Sequence, residues 1–214
     1  FNKAAMEALR APIEDSTVTI TRAAGRVTFP SSFMMVCAMN PCRCGYYGSR
    51  RGKCICSPRD VRDYLSKLSG PMLDRIDIQV EMPELDFSEL SSNTPSESSA
   101  AIRERVEAAR AMSRERFRMS GHRDFALMSN AKMDTDDIRR YCRLDDASLA
   151  VIETTFRRLN ISARAYDRIL RVARTIADLD CAASGGAADG GAIEKRHVME
   201  AIQMRTLDKY WSHT

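Results

Sequence analysis

FMMVCAMNPCRCGYYGSRRGKCICSP, Phe33 to Pro58, decides how the chain is read. A short apolar run over 33–39 stops at Asn40-Pro41, and its length and the turn dipeptide that ends it predict a buried strand. At the end of such a strand Asn40 stands at a sheet edge, where α/β folds place their ligands. Two close cysteine pairs follow, Cys42/Cys44 and Cys54/Cys56, around a basic, Gly-rich loop. Four thiolates can complete a tetrahedral zinc shell, and Gly45, Gly48 and Gly52 let the loop fold back on itself. Arg43, Arg50, Arg51 and Lys53 would offset the negative charge of that shell. One residue between paired cysteines is less usual for zinc than two, so three readings stand: structural zinc, reduced thiols or disulfides. Catalytic zinc is disfavoured, because all four ligands are protein and no histidine lies nearby.

Outward from this stretch the chain divides in composition. Upstream, spacing of Phe1, Ala5, Ala8 and Leu9 predicts an amphipathic helix that starts without a cap and ends at Pro12, so the chain reads as truncated. Thr17–Thr21 and Arg26–Phe29 alternate β-branched residues around a short Gly-containing loop, which predicts a hairpin over 17–29 with Arg22 at its tip and Arg26 just beyond. Taken alone, it is an ordinary exposed hairpin with solvated arginines. Downstream, Val61, Tyr64, Leu65 and Leu68 share one helix face. Ser69–Asp77 follows, then a short strand over 78–82 closed by Pro83. Residues 84–98 are rich in Ser, Asp, Glu and Pro, the composition of a linker, which places a domain boundary at 90/91.

Beyond it the pattern is helical throughout. Ile102, Val106, Ala109 and Phe117 define one face over 99–118, with arginines at 103, 105, 110, 114, 116 and 118 read as a solvated face. Asp134–Asp137 is an acidic helix start. Leu149, Ile152, Phe156 and Leu159 repeat over 145–159. Ser162 caps a long helix with Ile169, Val172, Ala173 and Ile176 inward. Residues 184–191 form a Gly/Ala loop and 194–204 a last helix. The fold class expected is α/β followed by an all-α bundle.

Bulk properties exclude more than they specify. In 214 residues a net charge of +4 is too weak to argue for nucleic acid by itself, although the 33 Lys+Arg are dominated by arginine, whose planar fork suits carboxylate and phosphate. No apolar run approaches the roughly 18 residues of a membrane span. Seven cysteines without a secretory signal point to a reducing, cytoplasmic compartment. Cys37, Cys142 and Cys181 read as small core residues. The histidines His122, His197 and His213 are scattered away from any nucleophile, and no phosphate-cradling G-x-x-x-x-G-K-[ST] occurs. Arg75, between a turn and a strand, is expected to point out of its domain. Arg164 stands in the first turn of the helix capped by Ser162, where a helix N-terminus already favours anions. Singly, each is an ordinary surface or ion-paired arginine.

Several long stretches together change that reading: EALRAPIEDSTVTITRAAG, CAMNPCRCGYYG, SGPMLDRIDI, ESSAAIRERVEAAR and SARAYDRILRVARTIADL. Through them nearly the whole chain resembles the C-terminal portion of magnesium-chelatase-like AAA+ ATPases of the bacterial competence-protein (ComM/YifB) type, whose cousins include the magnesium chelatase ATPase subunit and the replicative MCM helicases. The resemblance implies a partial AAA+ α/β core over 1–90 and a linker helix with helical lid over 91–214. Within the core it places a presensor hairpin at 17–29, a sensor 1 strand at 33–40, the cysteine loop at 42–56 and the arginine-finger segment at 69–77. It assigns Asn40 to sensor 1, Arg75 to the arginine finger that completes a neighbour's ATP site, and Arg164 to a nucleotide-contacting sensor 2. Arg22 and Arg26 become DNA-contact candidates on a hairpin facing a ring channel.

The family's phosphate loop and Walker B acidic pair are missing from this sequence. The chain is therefore expected to begin just after Walker B and to be inactive alone, while the full-length parent uses ATP and Mg2+ in a hexameric ring. Three functions follow: an ATP-driven DNA-remodelling or branch-migrating motor, a magnesium chelatase subunit driving metal insertion into a porphyrin, or a non-catalytic zinc-stabilised DNA-binding module.

Overall fold

The computed structural model describes residues 2–50, 52–87, 91, 96–124, 128–159, 161–186 and 190–205. Phe1, Arg51, His213, residues 187–189 and the side chain of Leu159, all used in the reading above, lie outside the described residues. The chain forms two compact units, Phe1–Ile76 with Met82–Asp86, and Asp77–Glu81 with Phe87–Thr214.

The first unit opens with α1 (Lys3–Ala8) and α2 (Arg10–Asp15). Two sequence expectations are corrected here. The helix is capped, by the Asn2 side chain accepting the Ala5 N–H at 2.8 Å. Pro12 does not end it, because it falls in the first turn of α2, where its missing N–H costs no helical bond. Ser16, in the left-handed region at φ 53°, stops α2 instead. The hairpin then forms as expected: β1 (Thr17–Arg22) pairs antiparallel with β2 (Gly25–Pro30). It is the one sheet among the described residues. The Ser31 N–H donates to the Ser16 carbonyl at its foot, at 2.7 Å.

After the hairpin the expected strand over 33–40 is absent. That segment is irregular, and Met34 and Val36 are 87% and 83% exposed. A strand exists only through its neighbours' hydrogen bonds, and no second strand flanks this run among the described residues. Cys37, expected in the core, is exposed for the same reason. The second expected strand, 78–82, reduces to one bridge between Gln79 and Arg205. Two short helices complete the unit: α3 (Pro58–Leu65), started by a capping box between Ser57 and Asp60, and α4 (Gly70–Leu73), started by Ser69. The unit buries little apolar surface, mainly Cys42, Val61, Met72 and Leu73.

The helical unit is built differently. It comprises α5 (Ser99–Met119), a 3-10 turn (Asn130–Lys132), α6 (Thr135–Tyr141), α7 (Asp146–Leu159), α8 (Ala163–Ala183) and α9 (Lys195–Gln203). The cap expected at Ser162 is present, its Oγ accepting from Ala165 N at 3.1 Å. The acidic helix start expected at 134–137 forms with Asp134 as its cap, Oδ1 accepting from Asp137 N at 2.8 Å. The central α8 packs against α5 and α9 and carries Ile169, Val172, Ala173 and Ile176 inward, as their spacing predicts. They join Phe117, Ile138 and Val198 in one core. Each large apolar side chain so buried contributes about 1.5–3 kcal/mol relative to exposure. Among the described residues no helix is long and apolar enough to cross a membrane.

Packing also corrects the faces assigned from sequence. Ile102 and Val106 are exposed, as are Leu149 and Phe156. Arg116, read as part of a solvated face, is only 3% exposed. It donates to both carboxylate oxygens of Asp178, itself 1% exposed, and to Asn130 Oδ1 at 3.1 Å. Arg174 donates through Nε to the same carboxylate at 3.1 Å and through Nη1 to the Gly191 carbonyl at 2.8 Å. Gly190 closes against this cluster at φ +82°, and a methyl group there would meet Asp178 Oδ1 at 2.2 Å. Two buried guanidiniums on one carboxylate thus tie α5, the 3-10 turn, α8 and the 190–191 loop together.

Candidate functional site

The four sulfurs of Cys42, Cys44, Cys54 and Cys56 lie within 4.8 Å of one another, and all four cysteines are free. Cys42 Sγ is 3.3 Å from Cys44 Sγ and 3.9 Å from Cys54 Sγ, and Cys44 and Cys54 are 3.6 Å apart. A zinc ion bound by four thiolates at about 2.3 Å spaces its sulfurs about 3.8 Å apart, so these separations match a tetrahedral shell. They are far too long for a disulfide, whose sulfurs sit about 2 Å apart.

The loop folds this way because Gly45, at φ +84°, closes a turn in which its N–H donates to the Cys42 carbonyl at 3.1 Å. Backbone N–H groups of Tyr46 and Ile55 pull the Cys44 thiol down to about 6. At Cys54 a backbone bond from Cys56 opposes the change, but desolvation and the neighbouring sulfurs of Cys44 and Cys42 push the thiol up to about 11. One thiolate forms readily and its neighbours resist, which is how clustered thiols behave until a cation supplies the missing charge.

Asn40 adjoins this loop. Its side chain lies beside Gly45, where a methyl group would meet Asn40 Nδ2 at 3.8 Å. Arg75 is placed otherwise than expected. It does not point out of its unit, because its side chain is 8% exposed and its Nη2 donates to Glu14. Its Nη1 donates to the Pro71 carbonyl at 2.7 Å, and its Nε is buried without a hydrogen-bond partner among the described residues. Glu14, at the end of α2, was not singled out in the sequence, and no local signal links residues so far apart in the chain. The turn that carries Arg75 is itself anchored to α1, since Ser69 Oγ donates to Glu7 Oε1 at 2.5 Å.

On the hairpin, Arg22 and Arg26 are both exposed but lie on opposite faces. The register puts Val18, Phe29, Ile20 and Val27 with Arg22 on one face, and Thr17, Thr19, Thr28 and Thr21 with Arg26 on the other. Arg164, in the helical unit, is exposed in the first turn of α8.

This combination of a hairpin, a cysteine-bound loop, a buried arginine after a Ser-capped turn and a helical bundle agrees with the sequence relationships. The profile described as magnesium chelatase, subunit ChlI, matches residues 1–90, and that of the subunit ChlI C-terminal region matches residues 96–205. The chain belongs to the magnesium chelatase family, a family of AAA+-type ATPases, and fits its ComM/YifB type. It is 35% identical over 216 residues to the uncharacterised protein YifB of Escherichia coli, covering 100% of this chain and 38% of that protein. It is 38% identical over 180 residues to the competence protein ComM of Haemophilus influenzae, covering 84% of this chain and 33% of that protein. An uncharacterised protein of Mycobacterium tuberculosis is 38% identical over 175 residues, 82% of this chain and 33% of that protein. The chain thus spans 33–38% of the length of these relatives.

Proposed function

We propose that this chain is the arginine-bearing part of an AAA+ motor core with its helical lid, in a hexameric ATPase that remodels DNA. Arg75 carries the reading. Its guanidinium is withdrawn from water, fixed on a short capped turn and already matched to a carboxylate. A planar fork that fits carboxylate also fits phosphate oxygens, and an arginine completing a neighbouring site stabilises the charge of the transferring phosphoryl group. Asn40 orients the attacking water, and Arg164 contacts the nucleotide from the start of α8. This sequence holds no phosphate loop, so ATP and Mg2+ are assigned to the part of the longer relatives that it does not cover.

The hairpin is the DNA-contacting element, since it stands exposed and carries Arg22 and Arg26. Exposed arginines follow a phosphate backbone through charge, with little dependence on base sequence. In the whole protein, Arg22→Ala should weaken DNA-stimulated ATP turnover several-fold while basal turnover holds. Equal losses in both would remove the hairpin from the DNA path. A second reading, insertion of a metal ion into a porphyrin, draws its support from the name of the matching family. It is separated by assaying chelation alongside ATP turnover.

The cysteine loop takes a structural role. The four thiolates hold one Zn2+ and brace a unit whose apolar core is small, the setting in which a metal replaces hydrophobic burial. Chain purified without chelators should contain about one zinc, since four thiolates make one tetrahedral site. Metal-free protein in which Cys42, Cys44, Cys54 and Cys56 all titrate as thiols would reject the site.

A further inference from the structure

Arg75 lies at the point where the chain passes from one compact unit to the other. Residues up to Ile76 belong to the first unit, Asp77–Glu81 to the helical unit, and Met82–Asp86 to the first again. Arg75 is held on its own side by Glu14 and by the Pro71 carbonyl. The strap that follows is held within the helical unit. Arg168 Nη1 donates to Asp77 Oδ1, and the Arg168 side chain is mostly shielded from solvent. The Gln79 N–H donates to the Met204 carbonyl at 2.6 Å, and Gln79 and Arg205, which form the parallel bridge there, are both buried. Arg168 follows Arg164 by one helical turn, so both leave α8 on the same face.

We propose that Arg168, acting through Asp77, is a positioning residue for Arg75, coupling the helix that bears Arg164 to the arginine that completes the neighbouring site. The inference rests on the AAA+ reading of Arg75 and Arg164. Neither Arg168 nor Asp77 touches nucleotide in it. Their ion pair is a directional, charge-assisted contact, and the backbone bond at Gln79 keeps the strap from swivelling around it. Only Ile76 separates the clamped Asp77 from Arg75, leaving few backbone torsions to absorb any movement of α8. A shift of α8 toward or away from nucleotide therefore reaches the Arg75 backbone and alters its hold on Glu14, the carboxylate it must leave to meet phosphate.

The test uses the whole protein with Asp77→Asn, Arg168→Gln and the exchanged pair Asp77→Arg with Arg168→Asp. Asparagine keeps the shape of Asp77 and removes only its charge, so that variant folds if any does. Each single variant should lower kcat about tenfold, the effect expected for a coupling residue away from the chemistry, with KM for ATP within about twofold. The exchanged pair should recover most of the loss. Wild-type kcat in Asp77→Asn overturns the proposal, as does an exchanged pair no faster than the single variants. A fall in kcat that tracks the melting midpoint and is not rescued shows a merely structural contact and equally overturns it. Arg75→Ala in the same assay separates the two levels: turnover retained there removes the finger itself. A dead Arg75→Ala beside a fully active Asp77→Asn removes the coupling alone.

Discussion

Replacing Arg75 with alanine in the whole protein is expected to lower ATP turnover by about 10³-fold or more, the scale on which an arginine finger contributes, while ATP binding changes little. The asymmetry follows from the role. An arginine that meets charge developing on the phosphoryl group stabilises the transition state more than the bound substrate, so kcat falls and binding survives. The variant should keep its fold, because the Glu14 side chain is 37% exposed and water can take the place of the lost guanidinium. Arg75→Lys should recover little, since an ammonium keeps the charge but loses the fork that bonds Glu14 and Pro71 together. Steady-state turnover beside equilibrium binding of a fluorescent ATP analogue checks it. Wild-type turnover would remove Arg75 from the chemistry.

The second large effect concerns stability. Asp178→Ala should destabilise the helical unit by about 3–5 kcal/mol, the cost of leaving a buried charge without its partner. Arg116 and Arg174 would then face each other with no carboxylate between them, all three groups being at most 3% exposed. Burial already pulls the Arg174 guanidinium below its ordinary value, and Asp178 is the largest influence opposing that pull. Against a typical total of about 5–15 kcal/mol, such a loss leaves the unit close to unfolding. Urea unfolding followed by circular dichroism measures it. A loss below about 1 kcal/mol, the level of an exposed pair, would show that the cluster is solvated.

What the sequence made legible was whatever depends on near neighbours. The hairpin, the acidic helix start at 134–137, the Ser162 cap and the inward face of α8 are local patterns, and they formed as read. The run over 33–39 has a strand's composition, but a strand needs partners, and composition does not supply them. Arg116 was misplaced for a reason that periodicity could have exposed. Ala109, Ser113, Arg116 and Phe117 are the buried positions of α5 and follow one helical stripe, so the arginine shares the core face with Phe117. Reading arginine as a surface residue overrode that spacing. The pairs Glu14–Arg75 and Asp77–Arg168 left no local trace, because tertiary folding alone brings them together. Of the candidate site, the cysteine cluster was readable as a set of ligands. The grip on Arg75 was not.

ATP turnover by the whole protein, measured with and without DNA while porphyrin metallation is assayed in parallel, tests whether this family member turns ATP hydrolysis into work on DNA. Turnover that rises with DNA, with no metal inserted, is the predicted result. Metallation of the porphyrin coupled to ATP, with turnover indifferent to DNA, would contradict it.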